Sequence, residues 1–404
     1  MKAVVFRGIG DVGLKDVPDP EIKDSSDAII RITASAICGT DLHMIRGTLG
    51  PMQPGTILGH EAVGVVEQAG SAVRNLKAGD RVVVTSTIAC GYCSYCRAGY
   101  FSQCDTSNPN GKRAGTAFFG GPQSSWSFNG LQAEKARIPF ANVNLIKLPD
   151  TISDAQAIML SDIFPTGYFG ADIAEISNGD LVAIFGCGPV GQFAIASAKM
   201  FGAGRIFAID SIPDRLEMAR SQGAEIINFN KEDPVSAILE MTGGIGVDRV
   251  IDAVGVDAEP SRSGPAKQSS DKNATMFQAE LKDIAPQTNP KGDNWHPGAA
   301  PSQALLWAVD AIDKAGTLAI IGVYPTTMQY FPIGQAMNKN LTIKTGNCNH
   351  RKYIPLLIDI VESGVIDPVK IITQKKPISS IMDAYREFDL RHDSWLKVEI
   401  IPGK

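Results

Sequence analysis

Cys90, Cys93, Cys96 and Cys104 fall on one short stretch and read C-x2-C-x2-C-x7-C. Zinc takes about four nitrogen or sulfur ligands in a tetrahedron, and four thiolates on one loop supply the whole set. Such a site is closed. It organises a lobe and leaves no position for a substrate. Two disulfides are the alternative use of four cysteines. Against that, Cys38, Cys187 and Cys348 are scattered, and the start MKAVVFRGIG reads as a strand and turn, not a secretory leader. A reducing, cytoplasmic setting is therefore expected.

A second group is Cys38-Gly39-Thr40-Asp41-Leu42-His43 together with Gly59-His60-Glu61. A thiolate and an imidazole can hold a metal and leave one position open for chemistry. A third is Gly186-Cys187-Gly188-Pro189-Val190-Gly191, a G-x-G-x-x-G between the apolar run LVAIF and a helical pattern. In that context Gly186 permits a tight turn, Gly188 lets the backbone approach a pyrophosphate, and Gly191 lets helix and strand pack closely. The pyrophosphate then sits at a helix N-terminus. Asp210 ends the next strand, 19 residues after Gly191. A carboxylate there accepts from ribose hydroxyls and repels a 2′-phosphate, which favours NAD over NADP. Arg205 and Arg215 lie nearby and pull the other way.

The elements that must position these groups follow from the patterns between them. The 404 residues, 44% hydrophobic, can bury a large core and form two domains. A net charge of −5 without a long basic run excludes nucleic acid as an expected partner, and no apolar stretch is long enough for a bilayer. Residues 1–150 alternate Val/Ile-rich runs with Gly/Pro turns, a β-rich antiparallel domain. From about Asp180 strands alternate with helices, the pattern of a doubly wound parallel sheet. After Tyr324 the chain is expected to rejoin the first domain. Boundaries of 1–163 plus 325–404 and of 164–324 follow. Residues 257–301 interrupt the alternation, and Phe277, Leu281 and Ile284 mark one face of a short helix within them.

In these motifs and their order the chain resembles the zinc-dependent alcohol dehydrogenase branch of the medium-chain dehydrogenase/reductase superfamily. The resemblance rests on Cys38-Gly39-Thr40-Asp41, Gly59-His60-Glu61, the cysteine lobe and the glycine motif, and spans nearly all of the chain except 257–301. It implies an α/β protein with a GroES-like catalytic domain and a Rossmann domain. It also implies two zinc ions per chain, NAD, a small alcohol or aldehyde as substrate, and a homodimer or homotetramer. Cys38 and His60 resemble the first two ligands of a reactive zinc. Leu160-Ser161-Asp162-Ile163-Phe164-Pro165-Thr166-Gly167-Tyr168 resembles glutathione-independent formaldehyde dehydrogenases and their dismutating relatives, which makes Asp162 the implied third ligand; Glu61 and Cys187 are its rivals. Asp41 resembles the acid that orients the histidine ligand. Thr40 resembles the hydroxyl that meets the alcohol oxygen, and His43 the far end of a proton relay. Lys397 roughly matches a basic residue near the pyrophosphate.

Substrate choice is weakly written. Ser86, flanked by Thr85 and Thr87, stands where the family often has an aromatic residue. Phe118, Phe119, Trp126 and Phe128 either wall a cleft or pack in a core, and His350 either faces the nicotinamide or is structural. The leading function is an NAD-dependent alcohol/aldehyde oxidoreductase. The alternatives are a formaldehyde dehydrogenase or dismutase with tightly held NAD, and a non-catalytic, zinc-stabilised nucleotide-binding protein.

Overall fold

The computed structural model describes residues 1–125 and 128–403, so Trp126 lies outside the described residues. Two compact units emerge. The first comprises Met1–Pro165, Thr288–Trp295 and Asn347–Lys404; the second comprises Thr166–Gln287 and His296–Gly346. Among the described residues no helix is long and apolar enough to cross a membrane.

The second unit is built on a parallel sheet. Its strands run, in spatial order, Glu225–Asn228, Arg205–Asp210, Leu181–Phe185, Val247–Asp252, Ile312–Ile320 and Thr342–Thr345. Numbered along the chain this is 3-2-1-4-5-6, the doubly wound dinucleotide-binding order. Central strands such as LVAIF are apolar throughout because helices cover both faces. Three of those helices, Pro189–Met200, Pro213–Ser221 and Pro234–Met241, open on proline, whose fixed φ and missing N–H suit a first turn.

The parallel sheet extends further than the alternation in sequence indicates. Thr342–Thr345 pairs in parallel with Ile312–Ile320, so this unit runs to Gly346 and not to residue 324. The run is too short and too exposed to look like a core strand. The helix in the interrupting segment is also longer than expected, Lys267–Ile284, with Phe277 and Ile284 buried. The tip of that segment, Thr288–Trp295, belongs to the first unit.

The first unit carries a two-stranded sheet, Lys2–Gly8 with Asp11–Asp16, and a larger mainly antiparallel sheet. In the latter Ala28–Ile37 is central and pairs with Ala62–Ala69, Lys135–Ile138 and Val398–Ile401. The C-terminal strand thus lies beside the strand that leads into Cys38. One buried ion pair braces the helix that follows, Gly39–Arg46. Asp389 Oδ1 accepts from Arg46 Nε (3.0 Å) and Nη2 (2.7 Å), and Asp389 Oδ2 accepts from the Trp295 backbone N–H (2.7 Å) and Asn294 Nδ2 (3.1 Å). Both side chains of the pair are 2% exposed. Removing one partner of such a pair strands a buried charge, which costs about 3–5 kcal/mol. Asp389→Ala is therefore expected to lower the urea midpoint of the first unit by a corresponding amount. A midpoint within about 0.5 kcal/mol of wild type, the range of ordinary surface changes, would show that the ion pair does not brace the helix.

Candidate metal centres and nucleotide site

The lobe cysteines come together as four free thiols, with Sγ atoms 4.0 Å apart for Cys90–Cys96 and 3.9 Å for Cys93–Cys104. A disulfide needs about 2.05 Å. A tetrahedron with Zn–S bonds of about 2.3 Å has S···S edges of about 3.8 Å, so the spacing fits a metal and not two bridges. All four lie within 4.8 Å of one another. Backbone N–H groups of Cys90, Cys93, Thr106 and Ser107 point at the sulfurs and favour thiolates. The quartet cannot ionise together without a cation. Hydrogen bonding from Cys96 draws Cys104 down to about 3, while the same contact and burial push Cys96 up.

The second centre gathers Cys38, His60, Glu61 and Asp162, all buried, with one donor atom from each inside a 4.8 Å sphere. Cys38 precedes the helix Gly39–Arg46, and its N–H donates to Asp41 Oδ2 at 3.0 Å. The other oxygen of Asp41 stands 3.4 Å from His60 Nδ1, and Gln132 Nε2 donates to Oδ2 at 3.0 Å. Asp41 thus fixes the thiol-bearing turn and sets its other oxygen beside the imidazole. Gly59 allows the approach, since φ is +92° there and a Cβ would meet Gln132 Cγ at 2.4 Å. Asp162 sits where the helix Asp154–Ser161 stops. Its Oδ2 lies 3.2 Å from His60 Nε2 and 3.9 Å from Cys38 Sγ. Neither ring nitrogen of His60 completes a hydrogen bond, and Glu61 Oε2 has none. Buried polar atoms are rarely left this way. The donor set of thiolate, imidazole and carboxylate at these separations fits a zinc ion.

Four residues near this centre have places that sequence reasoning missed. Lys397, expected near the pyrophosphate, is instead a fully buried partner of Glu61, with Nζ 2.5 Å from Oε1 and 3.1 Å from Ile37 O. The strand that follows it, Val398–Ile401, pairs at Val398 with Ile37, a long-range register no local pattern announces. His350 is neither isolated nor a bland core residue. Its Nε2 is 2.7 Å from Asp162 Oδ1, and its Nδ1 is 3.1 Å from Thr87 Oγ1. Burial raises the Asp162 carboxyl, but the hydrogen bond from His350 and the nearby His60 imidazole outweigh it and hold the group well below the usual carboxylate range. Ser161 donates to Val84 O at 2.7 Å and accepts from the Ala62 N–H, seating the neighbouring Asp162 on two strands. Gln132 is itself held by the Tyr385 hydroxyl at 2.7 Å.

Phe118 sets its ring edge-on to His60, with centroids 6.2 Å apart. Phe119 is fully buried in the core with Ile88 and Leu131, and Phe128 packs partly buried on the same cluster. Ser86 is buried, and Thr85 is spent on Thr87 O and Asn144. Thr40 Oγ1 lies 3.8 Å from Cys38 Sγ. His43 Nδ1 is 2.8 Å from Thr48 Oγ1, whose own hydrogen goes to His43 O at 3.2 Å.

In the second unit the glycine motif forms the turn after Leu181–Phe185. Gly186 has φ +91°, and a Cβ on Gly191 would meet Gly186 O at 1.8 Å. A Cβ on Gly188 would meet only Arg215 Nη1, at 3.9 Å, so the face a phosphate would approach is open. Asp210 accepts from the N–H groups of Cys187 (2.8 Å), Ser211 (2.7 Å) and Ile212 (3.0 Å). Arg205 is held by both oxygens of Glu225 at 2.7 Å and is not poised for a 2′-phosphate; Arg215 is the cation beside Asp210, at 4.0 Å. Cys187 is buried among Ile184 and Ala194 in this unit and is not among the clustered metal donors.

Residues 24–150 match the alcohol dehydrogenase GroES-like domain family, and residues 189–263 match the zinc-binding dehydrogenase family. The zinc-type alcohol dehydrogenase-like protein AdhB of Bacillus subtilis is 38% identical over 406 residues, covering 100% of both chains. The chain belongs to the zinc-type alcohol dehydrogenases of the medium-chain superfamily. The glutathione-independent formaldehyde dehydrogenase of Pseudomonas aeruginosa is 34% identical, covering 96% of this chain and 94% of that one. The solved structure of alcohol dehydrogenase TADH from Thermus sp. ATN1 is 33% identical with a TM-score of 0.79, covering 100% of each chain. The GroES-like domain and Rossmann-like sheet of this dehydrogenase accord with the two units.

Two outcomes follow for this dehydrogenase. Cys93→Ser should yield poorly soluble protein with depleted zinc, because a three-sulfur lobe cannot close the tetrahedron; a soluble variant with undiminished zinc by atomic absorption would contradict the closed-site assignment. Asp210→Ala should weaken NAD binding by about tenfold and raise the relative use of NADP, since one repulsive carboxylate is gone. Titration of both dinucleotides against wild type and variant checks this, and a wild-type preference for NADP would overturn it.

Proposed function

We propose that this zinc-type alcohol dehydrogenase moves a hydride between a small alcohol or aldehyde and NAD, using a reactive zinc held by Cys38, His60 and Asp162. The carrying observation is the convergence of these three donors, with Asp162 Oδ2 turned toward both Cys38 and His60. Glu61 is the rival ligand. Its Oε1 is engaged by Lys397, which supports a supporting role for Glu61 and a direct one for Asp162. A second zinc in the cysteine lobe completes the proposed complement of two.

Zinc there would supply Lewis acidity to a substrate oxygen, and the nicotinamide would supply the hydride acceptor. The chain's own residues do the rest. Asp41 holds the His60 ring and the Cys38 turn in register. Thr40, the second residue of that helix, would accept the hydroxyl proton of the alcohol and pass its own hydroxyl proton on. His43, whose Nδ1 lies 2.8 Å from Thr48 Oγ1, would be the far end of that relay, reached through the cofactor ribose. In the reverse direction the same groups return the proton to the carbonyl. Asp210 would accept from the adenosine ribose, and the opening of the helix Pro189–Met200 would meet the pyrophosphate.

One observation favours formaldehyde as a substrate. A carboxylate, Asp162, stands in place of the more usual thiolate, and the chain resembles a formaldehyde dehydrogenase of Pseudomonas aeruginosa. A carboxylate is the harder, less electron-donating ligand. Rates with a panel of alcohols and aldehydes, formaldehyde included, with NAD and NADP distinguish the substrates.

The ligand assignment has a direct check. Asp162→Ala should carry one zinc per chain in place of two and lose nearly all activity while keeping its fold by circular dichroism. Asp162→Cys, which restores the common ligand set, should keep the second zinc. An Asp162→Ala protein with two zinc ions per chain would transfer the role to Glu61.

A further inference from the structure

Four consecutive residues, Asn347 to His350, make a bridge that the dehydrogenase reaction does not by itself require. His350 opens the helix His350–Glu362 and is 3% exposed. Its Nε2 faces Asp162 Oδ1 at 2.7 Å. A carboxylate accepts only, so Nε2 carries the hydrogen and donates. With Oδ1 occupied in this way, Oδ2 is the oxygen left toward Cys38 and His60. Thr87 holds the other side of the ring at Nδ1 and also reaches Cys348 O, at 3.4 Å.

The next contact leads elsewhere. Asn349 precedes the helix and is 7% exposed. Its Oδ1 accepts from both the backbone N–H (2.9 Å) and the hydroxyl (3.0 Å) of Ser102. Ser102 lies in the turn Phe101–Gln103, between Cys96 and Cys104 of the lobe, with Cys104 two residues beyond it. A second strut runs in parallel: Asn347 Nδ2 and Gln103 Nε2 both donate to Thr116 Oγ1, at 2.7 and 3.3 Å. The path Cys104–Ser102–Asn349–His350–Asp162 is thus continuous, buried and hydrogen-bonded at each non-covalent step. Each contact in it has a donor matched to an acceptor, so a shift of the lobe turn is carried to the carboxylate and not absorbed by an idle side chain.

We infer that the four-cysteine lobe sets the position of Asp162 through Ser102, Asn349 and His350, and that His350 is the positioning residue for this proposed ligand. The lobe is then more than a local fold element: its metal fixes the turn that aims a donor of the reactive centre. The inference rests on Asp162 being a ligand. Partners that orient a metal ligand typically change affinity by 10–100-fold when lost. The effect should diminish with each step away from the carboxylate.

The test uses the full chain with both sites filled. Affinity at the reactive centre is read by competition with a chromophoric zinc chelator, and ligand geometry by the absorption bands of protein carrying cobalt(II) at that centre. His350→Leu should weaken that centre by about 10–100-fold and shift the cobalt bands, with the lobe zinc retained. His350→Gln keeps an N–H donor and should recover part of the loss. Asn349→Ala and Ser102→Ala touch neither set of ligands. They should give smaller losses and the same direction of spectral shift, while Asn349→Asp, which keeps an acceptor for Ser102, should stay nearer wild type. Wild-type affinity and spectra in Asn349→Ala and Ser102→Ala, beside a changed His350→Leu, would overturn the coupling to the lobe. Wild-type values in His350→Leu, beside a lost zinc in Asp162→Ala, would overturn the positioning role. Retention of zinc by Asp162→Ala would instead remove the ligand assignment, and the inference with it.

Discussion

Charge crowded into a dry interior governs the first unit. Cys38, Asp41, Glu61 and Asp162 are all buried around His60. Unit charges about 4 Å apart interact by roughly 4 kcal/mol even at an effective dielectric of 20, so like charges at this density cannot persist without cations. Lys397, 0% exposed, meets one of them, Glu61. His350 and His60 meet Asp162. A thiol, an imidazole nitrogen and a carboxylate oxygen converge there. A divalent cation is the group that makes this arrangement electrostatically consistent.

The two sites are held by different physics. At the nucleotide turn the backbone itself is the instrument. Gly186 and Gly191 permit an approach that any side chain would block, and three N–H groups gather on Asp210. Little there depends on distant chain. At the candidate metal centre the backbone only delivers side chains, which are then aimed by polar partners. Gln132 reaches Asp41 and Ala36 O, and Tyr385 steadies Gln132. A ligand set drawn from separate strands and helix ends needs this second layer, because rotamer freedom alone would scatter the donors.

That difference explains what the sequence made legible. The lobe cysteines, the glycine motif and the Cys38–His43 run are local patterns, and spacing alone carries their geometry. Most of the parallel sheet was readable for the same reason, as its first four strands alternate with helices at short intervals. The pairs around the candidate metal centre are not local. Lys397 and Glu61 are 336 residues apart, and His350 and Asp162 are 188 apart. Their meeting depends on sheet register, as where Val398–Ile401 lies against Ala28–Ile37. A lysine and a histidine at such separations look like ordinary surface or core residues. The strand Thr342–Thr345 escaped for a related reason: its alternating polar TIKT fits an edge, where one side of the strand stays in water.

The interrupting segment shows how an apparent excursion becomes part of the frame. Its helix, Lys267–Ile284, lies in the second unit, but its tip, Thr288–Trp295, lies in the first. There Asn289 Nδ2 donates to Ile9 O at 3.0 Å, and Trp295 joins a buried cluster with Leu42, Met44 and Ile45. Those three residues line the helix Gly39–Arg46, which starts at Cys38 and carries Thr40, Asp41 and His43. At its last residue Arg46 is buried and bound to Asp389, whose second oxygen the tip itself occupies. A buried guanidinium tolerates little movement, because leaving its carboxylate exposes an unpaired charge to a medium that cannot solvate it. The helix is therefore held at one end by the Asp41 contacts beside the proposed metal ligands and at the other by an ion pair that the tip completes. The side chains it carries gain their fixed orientation from both ends, and the segment that breaks the regular alternation supplies one of these anchors.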